Sequence, residues 1–559
     1  MTKIKGAHTI KAGFEWSRNA NSYLDVFANR GFFSFSGQYT GQGITDLLLG
    51  TPNFVGLTSL TFPHQFADAR NLFVQDTWRV TPKLTVNYGL RYEWVTPLLE
   101  RQNHMTNFDP SLRGGQGGLI TVRPGASSAA DRALQQVYHG AWAPRAGVAY
   151  RISDKLVFRT GGGIFYQDFE RKGSMALLTL NPPFLTDVRE GFAPNQPPAF
   201  LLQNGFPAGT VAPVDINNLD GVSILNIQGV DRNLRPGMIE QYSGGFEYSL
   251  RPDILLSASW VGNYGHRMWR GVNINQKVLT TPGQPSGVMP FPDFRTDRTV
   301  PPVQTSPTNF EFMLSNGNSN YNALLVTLEK RWSKGVSFLA SYTASKNIAD
   351  FTTSLERGLR STADISVQNR YNLKAEKGLA AVDTPQRLVV SFSAAAPFGK
   401  GTNRLNSGAV GRVLEGWQIN GILTAQSGQP VGILAPFDAS GTGGVERGDC
   451  IAKPRSIRQS VDQWFDTSAF AVPALYHFGT CAPATGVRTP GLDSLDFSLF
   501  KEIHLTEQTR LEFRAELFNS LNHTQFGPPS NTVGTPGFGS IGSVQVDPRE
   551  IQFALKFYF

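Results

Sequence analysis

The chain has 559 residues, too many for one ordinary soluble core, so it is several domains or one very large barrel. Only 17% of residues are charged, 11% are aromatic, and Gly (57) and Pro (35) are plentiful. No apolar run approaches the ~18 residues a spanning helix needs, which excludes a helical membrane protein and favours all-β architecture. The net charge of +8 comes from scattered Lys and Arg without a dense basic stripe, so no nucleic-acid partner is expected.

In chain order, the opening MTKIKGAHTIKAGFEW has no apolar segment of the secretory-signal kind. It already alternates at Ile10, Ala12, Phe14 and Trp16, so the chain is expected to open inside a strand, with its natural N-terminus missing. LTVNYGLRYEWV sets Leu84, Val86, Tyr88, Leu90, Tyr92 and Trp94 against Thr85, Asn87, Gly89, Arg91 and Glu93. A strand points successive side chains to opposite faces, so each such run has one greasy face and one wetter face. ILLSASWVGNY, GVSFLASYTAS, RLVVSFSAAAPF and GWQINGILTAQ repeat the pattern. RLEFRAELF sets Leu511, Phe513, Ala515 and Leu517 against Glu512, Arg514 and Glu516. The chain closes on IQFALKFYF, with Ile551, Phe553, Leu555, Phe557 and Phe559 on one face.

Short turns join these runs in pairs, at Thr81–Lys83, Ser153–Lys155, Arg251–Asp253, Ser333–Gly335 and Thr506–Gln508. Between the pairs lie long Gly-, Pro-, Asn- and Ser-rich segments, at 96–141, 168–238, 265–320, 346–386, 428–493 and 521–550. A soluble sandwich has no reason to place every long loop at one end. An outer-membrane barrel does, with short periplasmic turns and long extracellular loops. The expected fold is therefore an all-β, antiparallel transmembrane β-barrel portion with roughly 14 spanning strands. Leu84, Tyr88, Leu90, Leu256, Trp260, Leu511, Phe513 and Phe557 are expected to face lipid, and Arg91, Glu93, Glu512, Arg514 and Glu516 the lumen.

Chemical motifs are few. GFGSIG at 537–542 matches a dinucleotide fingerprint but lacks the strand before it and the helix after it, and reads as a loop. Ser498 and Lys501 match S-x-x-K, yet in an alternating strand they point opposite ways. The eight histidines are scattered without metal-ligand spacing. No enzyme, cofactor or metal is expected. Cys450 and Cys481 share one long loop, and in an oxidising exterior they are expected to form a disulfide.

The closing strand resembles the C-terminal signature of Gram-negative outer-membrane proteins, which the barrel-assembly machinery reads. Ile551, Phe553, Leu555, Phe557 and Phe559 carry it. RNLFVQDTWRVTPKLTVNYGLRYEW (70–94), QWFDTSAFAVP (463–473), LDFSLFKEIHL (495–505), LEFRAELFNSLNHTQFG (511–527) and DPREIQFALKFYF (547–559) resemble the Oar-like TonB-dependent receptors. That resemblance implies an outer-membrane location and import of an unidentified nutrient or other small ligand, with membrane lipid and the TonB system as partners. It also implies a carboxypeptidase-regulatory-like domain, a plug and a TonB box, none of which is in this sequence, and a barrel of ~22 strands. Residues 1–559 thus read as the C-terminal part of such a receptor. The alternative is a passive porin or an adhesin-like scaffold, although no loop shows the opposed charge clusters of a porin eyelet.

Overall fold

The computed structural model describes residues 1–22, 28–167, 178–192, 197–198, 201–212, 214–217, 226–279, 281, 283–284, 287–294, 309–351, 367–399, 402, 404–443 and 446–559. Fourteen strands of nine or more residues make one large sheet. They are β1 (His8–Ser22), β2 (His64–Thr81), β3 (Leu84–Val95), β4 (Trp142–Arg151), β5 (Leu156–Tyr166), β6 (Met238–Arg251) and β7 (Ile254–Asn273). The second half comprises β8 (Asn309–Ser333), β9 (Val336–Ala349), β10 (Gln386–Ala395), β11 (Trp417–Gln426), β12 (Leu492–His504), β13 (Arg510–Phe518) and β14 (Glu550–Tyr558). Each pairs antiparallel with the next in sequence.

The tight connections follow from their residues. Thr81 Oγ1 accepts from the backbone N–H groups of Lys83 (3.2 Å) and Leu84 (3.0 Å), closing the β2–β3 turn. Ser153 Oγ does the same for Lys155 and Leu156 between β4 and β5. At the β8–β9 turn Lys334 and Gly335 both take positive φ (51° and 77°), the pairing whose twist matches a two-residue hairpin.

Register carries one face through the whole sheet. Phe14 lies opposite Leu72, Leu72 opposite Tyr92, and Val74 opposite Leu90. Leu256 faces Leu328 and Trp260 faces Leu324. Leu511, Phe513, Ala515 and Leu517 face Phe557, Leu555, Phe553 and Ile551. The other face pairs Asn71 with both Glu15 and Glu93, Phe73 with Arg91, and Ser498 with Glu516. Aromatic rings lie across glycines on the apolar face: a Cβ at Gly262 would meet the Tyr242 ring at 2.4 Å, and one at Gly421 the Phe392 ring at 2.5 Å.

Burial is inverted relative to a soluble sheet. The apolar face is the exposed one: Phe14 is 63% exposed, Leu72 55%, Trp260 51% and Phe553 69%. An apolar surface of this extent is not stable against water and suits hydrocarbon. The three buried apolar clusters all lie at the long-loop end instead.

One expectation needs correction. The segment 265–320 is not all loop, because β7 runs to Asn273 and β8 starts at Asn309. Register shifts between Gly265, Met268 and Trp269 break the alternation there, so the period is unreadable. At ~3.4 Å per residue the 25 residues of β8 reach far beyond a ~30 Å hydrocarbon layer. Their outward end pairs in parallel with the strand Asn226–Val230. The connection between β10 and β11 holds a short helix, Gly408–Leu414. The fourteen strands span 9 to 25 residues, and the longer ones exceed the ~9–11 that a tilted crossing needs. Of the long segments, residues 168–177, 193–196, 199–200, 213, 218–225, 280, 282, 285–286, 295–308, 352–366 and 444–445 lie outside the described residues.

Among the described residues the sheet shows two edges. Thr2–Lys5 folds back on β1 and covers four of its residues. β14 pairs only with β13, and among the described residues no pairing joins β14 to β1 or to Thr2–Lys5.

Candidate functional site

Two features can act on a ligand: the polar face of the sheet and the folded assembly of long segments above it.

On the polar face, Arg91 and Glu93 sit two residues apart on β3 and so point the same way. Arg91 donates from Nε to Glu93 Oε1 at 2.9 Å and from Nη2 to Glu15 Oε2 at 2.8 Å, reaching across β2 to β1. Asn71, Ser17, Asn19 and Tyr166 join them around a small cavity of about 140 Å³. Glu512, Arg514 and Glu516 lie on the same face of β13, far along the sheet. Arg514 pairs with Glu512, and its guanidinium lies 4.5 Å from the centre of the Phe500 ring. Arg159 and Glu247 form a third pair at 2.9 Å. The predicted polar-face residues are thus not brought into one site. They form separate local groups, Arg91 with two carboxylates and Arg514 with Glu512.

The long segments are knitted together. Phe108, fully buried, meets the rings of Phe291, Phe294 and Phe310 edge-on at 4.9, 5.1 and 4.5 Å. Two ion pairs tie segment 350–385 to segment 427–491: Arg447 to Glu376 at 2.7 Å, both buried, and Arg488 to Asp383 at 2.6 Å. Gln276 Nε2 donates to the Gln368 carbonyl (2.6 Å), and Gln368 Nε2 donates to the Gly479 carbonyl (2.9 Å), adding segment 274–308. Removing one partner of a buried pair leaves an uncompensated charge, so these contacts fix how the segments meet. Asp466 caps a short turn, and donation from the Ser468 hydroxyl (2.6 Å) and the Arg455 N–H (3.0 Å) holds its carboxyl below the usual range.

Cys450 and Cys481 are bonded in the structure, 31 residues apart, with Cys481 inside the third apolar cluster. In the chain-entropy picture such a closure restrains the unfolded loop by about 3–4 kcal/mol.

Ser498 and Lys501 lie on opposite faces of β12. Lys501 Nζ donates to the carbonyls of Val413 (2.9 Å) and Arg412 (3.3 Å), at the C-terminal end of helix Gly408–Leu414. In GFGSIG, Gly537 and Gly539 take positive φ within a turn, and no helix follows. Among the described residues no group of three or more His, Cys, Asp or Glu is placed to hold a metal.

Sequence reasoning missed the loop assembly. The available signal was the apolar content of QWFDTSAF, which supplies Phe465, Ala469 and Phe470 to a buried cluster.

A family model described as outer membrane beta barrel domain matches residues 1–552. No curated protein sequence matches the chain. Among solved structures, it is similar to the outer membrane transporter YddB from Escherichia coli, with 9% identity, TM-score 0.48, and coverage of 100% of this chain and 61% of that one. It is similar to the siderophore receptor PirA from Acinetobacter baumannii, with 9% identity, TM-score 0.45 and coverage of 100% and 53%. For the FrpB iron transporter from Neisseria meningitidis the values are 10%, 0.43, and 100% and 53%. The chain spans between about half and three-fifths of the length of these proteins.

Proposed function

The chain belongs to the outer membrane β-barrel domain family and resides in the outer membrane, and from that premise we propose that it is the barrel portion of a receptor that captures and imports a small ligand. In this reading the apolar face meets lipid. The polar face, with Arg91, Glu93, Glu512, Arg514 and Glu516, lines the lumen. The interlocked long segments form the capture surface, and TonB coupling belongs to the larger receptor of which residues 1–559 are the C-terminal part. Ile551, Phe553, Leu555, Phe557 and Phe559 serve the barrel-assembly machinery.

The observation that carries this reading is the packing of the long segments into buried clusters joined by buried ion pairs. A passive pore needs loops only to connect strands. A capture surface needs them folded into a fixed shape, because ordering loops at the moment of binding costs affinity. The resemblance to Oar-like TonB-dependent receptors points the same way.

Comparing spent medium of three strains tests the proposal: the parent, a deletion of this gene, and a deletion of the energy-transducing system. At least one solute depleted by the parent should remain in the medium of both deletions. A solute left behind by the gene deletion alone would mean passive flow. No difference at all would mean a scaffold.

A further inference from the structure

We propose that segment 427–491 carries a Ca²⁺ site, formed by the carboxylates of Asp438 and Glu446 and the hydroxyls of Ser440 and Thr442. In DASGT (438–442) alternate residues carry oxygen, and the turn points them to one place. Asp438 accepts from the backbone N–H groups of Gly441 (2.8 Å), Thr442 (3.2 Å) and Gly443 (2.8 Å), which fixes its carboxylate over the turn. Ser440 Oγ lies 3.1 Å from Asp438 Oδ1 and 2.7 Å from Thr442 Oγ1, and donates to Glu446 Oε1. Ser440 and Thr442 are fully buried, Glu446 is 6% exposed, and Asp438 is open to solvent. Three buried oxygen-bearing side chains are thus linked through Ser440 to one exposed carboxylate, Asp438.

One detail calls for a positive charge there. Among the described residues the buried Glu446 Oε2 has no hydrogen-bond partner. The adjacent cation, Arg447, is committed to Glu376. Among the described residues neither Asp438 nor Glu446 has a cationic partner. Two carboxylates held together need a proton or a metal between them. The donors are all hard oxygens, with no nitrogen or sulfur, which suits Ca²⁺. Mg²⁺ demands stricter octahedral geometry and keeps its waters. The site does not depend on which ligand the loops capture. It would tie the turn to Glu446, one residue from the ion pair joining two segments.

Limited proteolysis of outer-membrane preparations tests this with the metal alone, by following cleavage within 438–449. Calcium at ten times its midpoint should slow cleavage about tenfold relative to chelator. The midpoint should lie near or below ~1 mM, as for extracellular modules. Magnesium at equal concentration should protect far less. Glu446→Gln keeps the shape of the side chain and removes its charge, so it should keep the loop folded and lose the calcium dependence, and Asp438→Asn should lose it too. Calcium-independent cleavage of the parent protein, or unchanged calcium dependence in Glu446→Gln, would overturn the proposal.

Discussion

Deleting Phe559 should reduce the protein in the outer membrane of living cells to a small fraction of the parent level, while stability after refolding in detergent barely changes. The two effects separate because of where the ring sits. Phe559 is 95% exposed, and its neighbour is the Phe557 ring at 5.9 Å. Interfacial burial of one ring is worth at most about 2–3 kcal/mol, small against a sheet of fourteen long strands. Recognition during assembly has no such averaging, because it reads a single strand end. β14 presents Ile551, Phe553, Leu555 and Phe557 on one face, each opposite an apolar residue or Ala515 of β13. Immunoblotting of outer-membrane fractions gives the first quantity and denaturant unfolding of refolded protein the second. Equal membrane levels would rule out the assembly role. A large loss of refolded stability would mean that the ring serves packing.

The second large effect concerns the edges of the sheet. Among the described residues the outer edge of β14 has no partner, and Thr2–Lys5 shields part of β1. In hydrocarbon each unpaired N–H or C=O costs several kcal/mol, and an edge strand offers a row of them. Residues 1–559 alone, reconstituted in liposomes, should therefore fail to give a stable heat-modifiable barrel and should be digested by protease. Supplying further strands to pair with both edges should restore heat-modifiable migration. A stable, protease-resistant closed barrel from residues 1–559 alone would show that the two edges join.

The sheet was legible in the sequence because lipid and lumen impose strict alternation. LTVNYGLRYEWV and RLEFRAELF each read correctly as strands, and the turns after Thr81 and Ser333 carry their own chemistry. Legibility failed where the alternation did. The outward end of β7 bulges near Met268, so HRMWRGVN looks like loop although it is strand. The connection 396–416 is rich in turn residues, and its helix is too short to show a period. The loop assembly was hidden for another reason. Its cores are built from single apolar residues contributed by segments far apart in sequence, as Phe108, Ile227 and Phe294 show. The Asp438–Glu446 cluster was likewise unreadable, since nothing in DASGT reveals that Glu446 is buried against it. Arg91 and Glu93 were visible as wet-face residues, but their partner Glu15 becomes apparent only when β1, β2 and β3 are set in register.

Every role assigned to the chain depends on the two faces of the sheet. Single cysteines placed one at a time from Asn87 to Glu93 and spin-labelled in protein purified from outer membranes measure this directly, and the native cysteines are already bonded to each other. Collision rates with oxygen should peak at 88, 90 and 92, and those with a water-soluble nickel chelate at 87, 89, 91 and 93. A period of two in opposite phase for the two reagents is the expected result. Uniform aqueous accessibility along the strand, or the same phase for both reagents, would contradict a sheet with one face in lipid and the other in water.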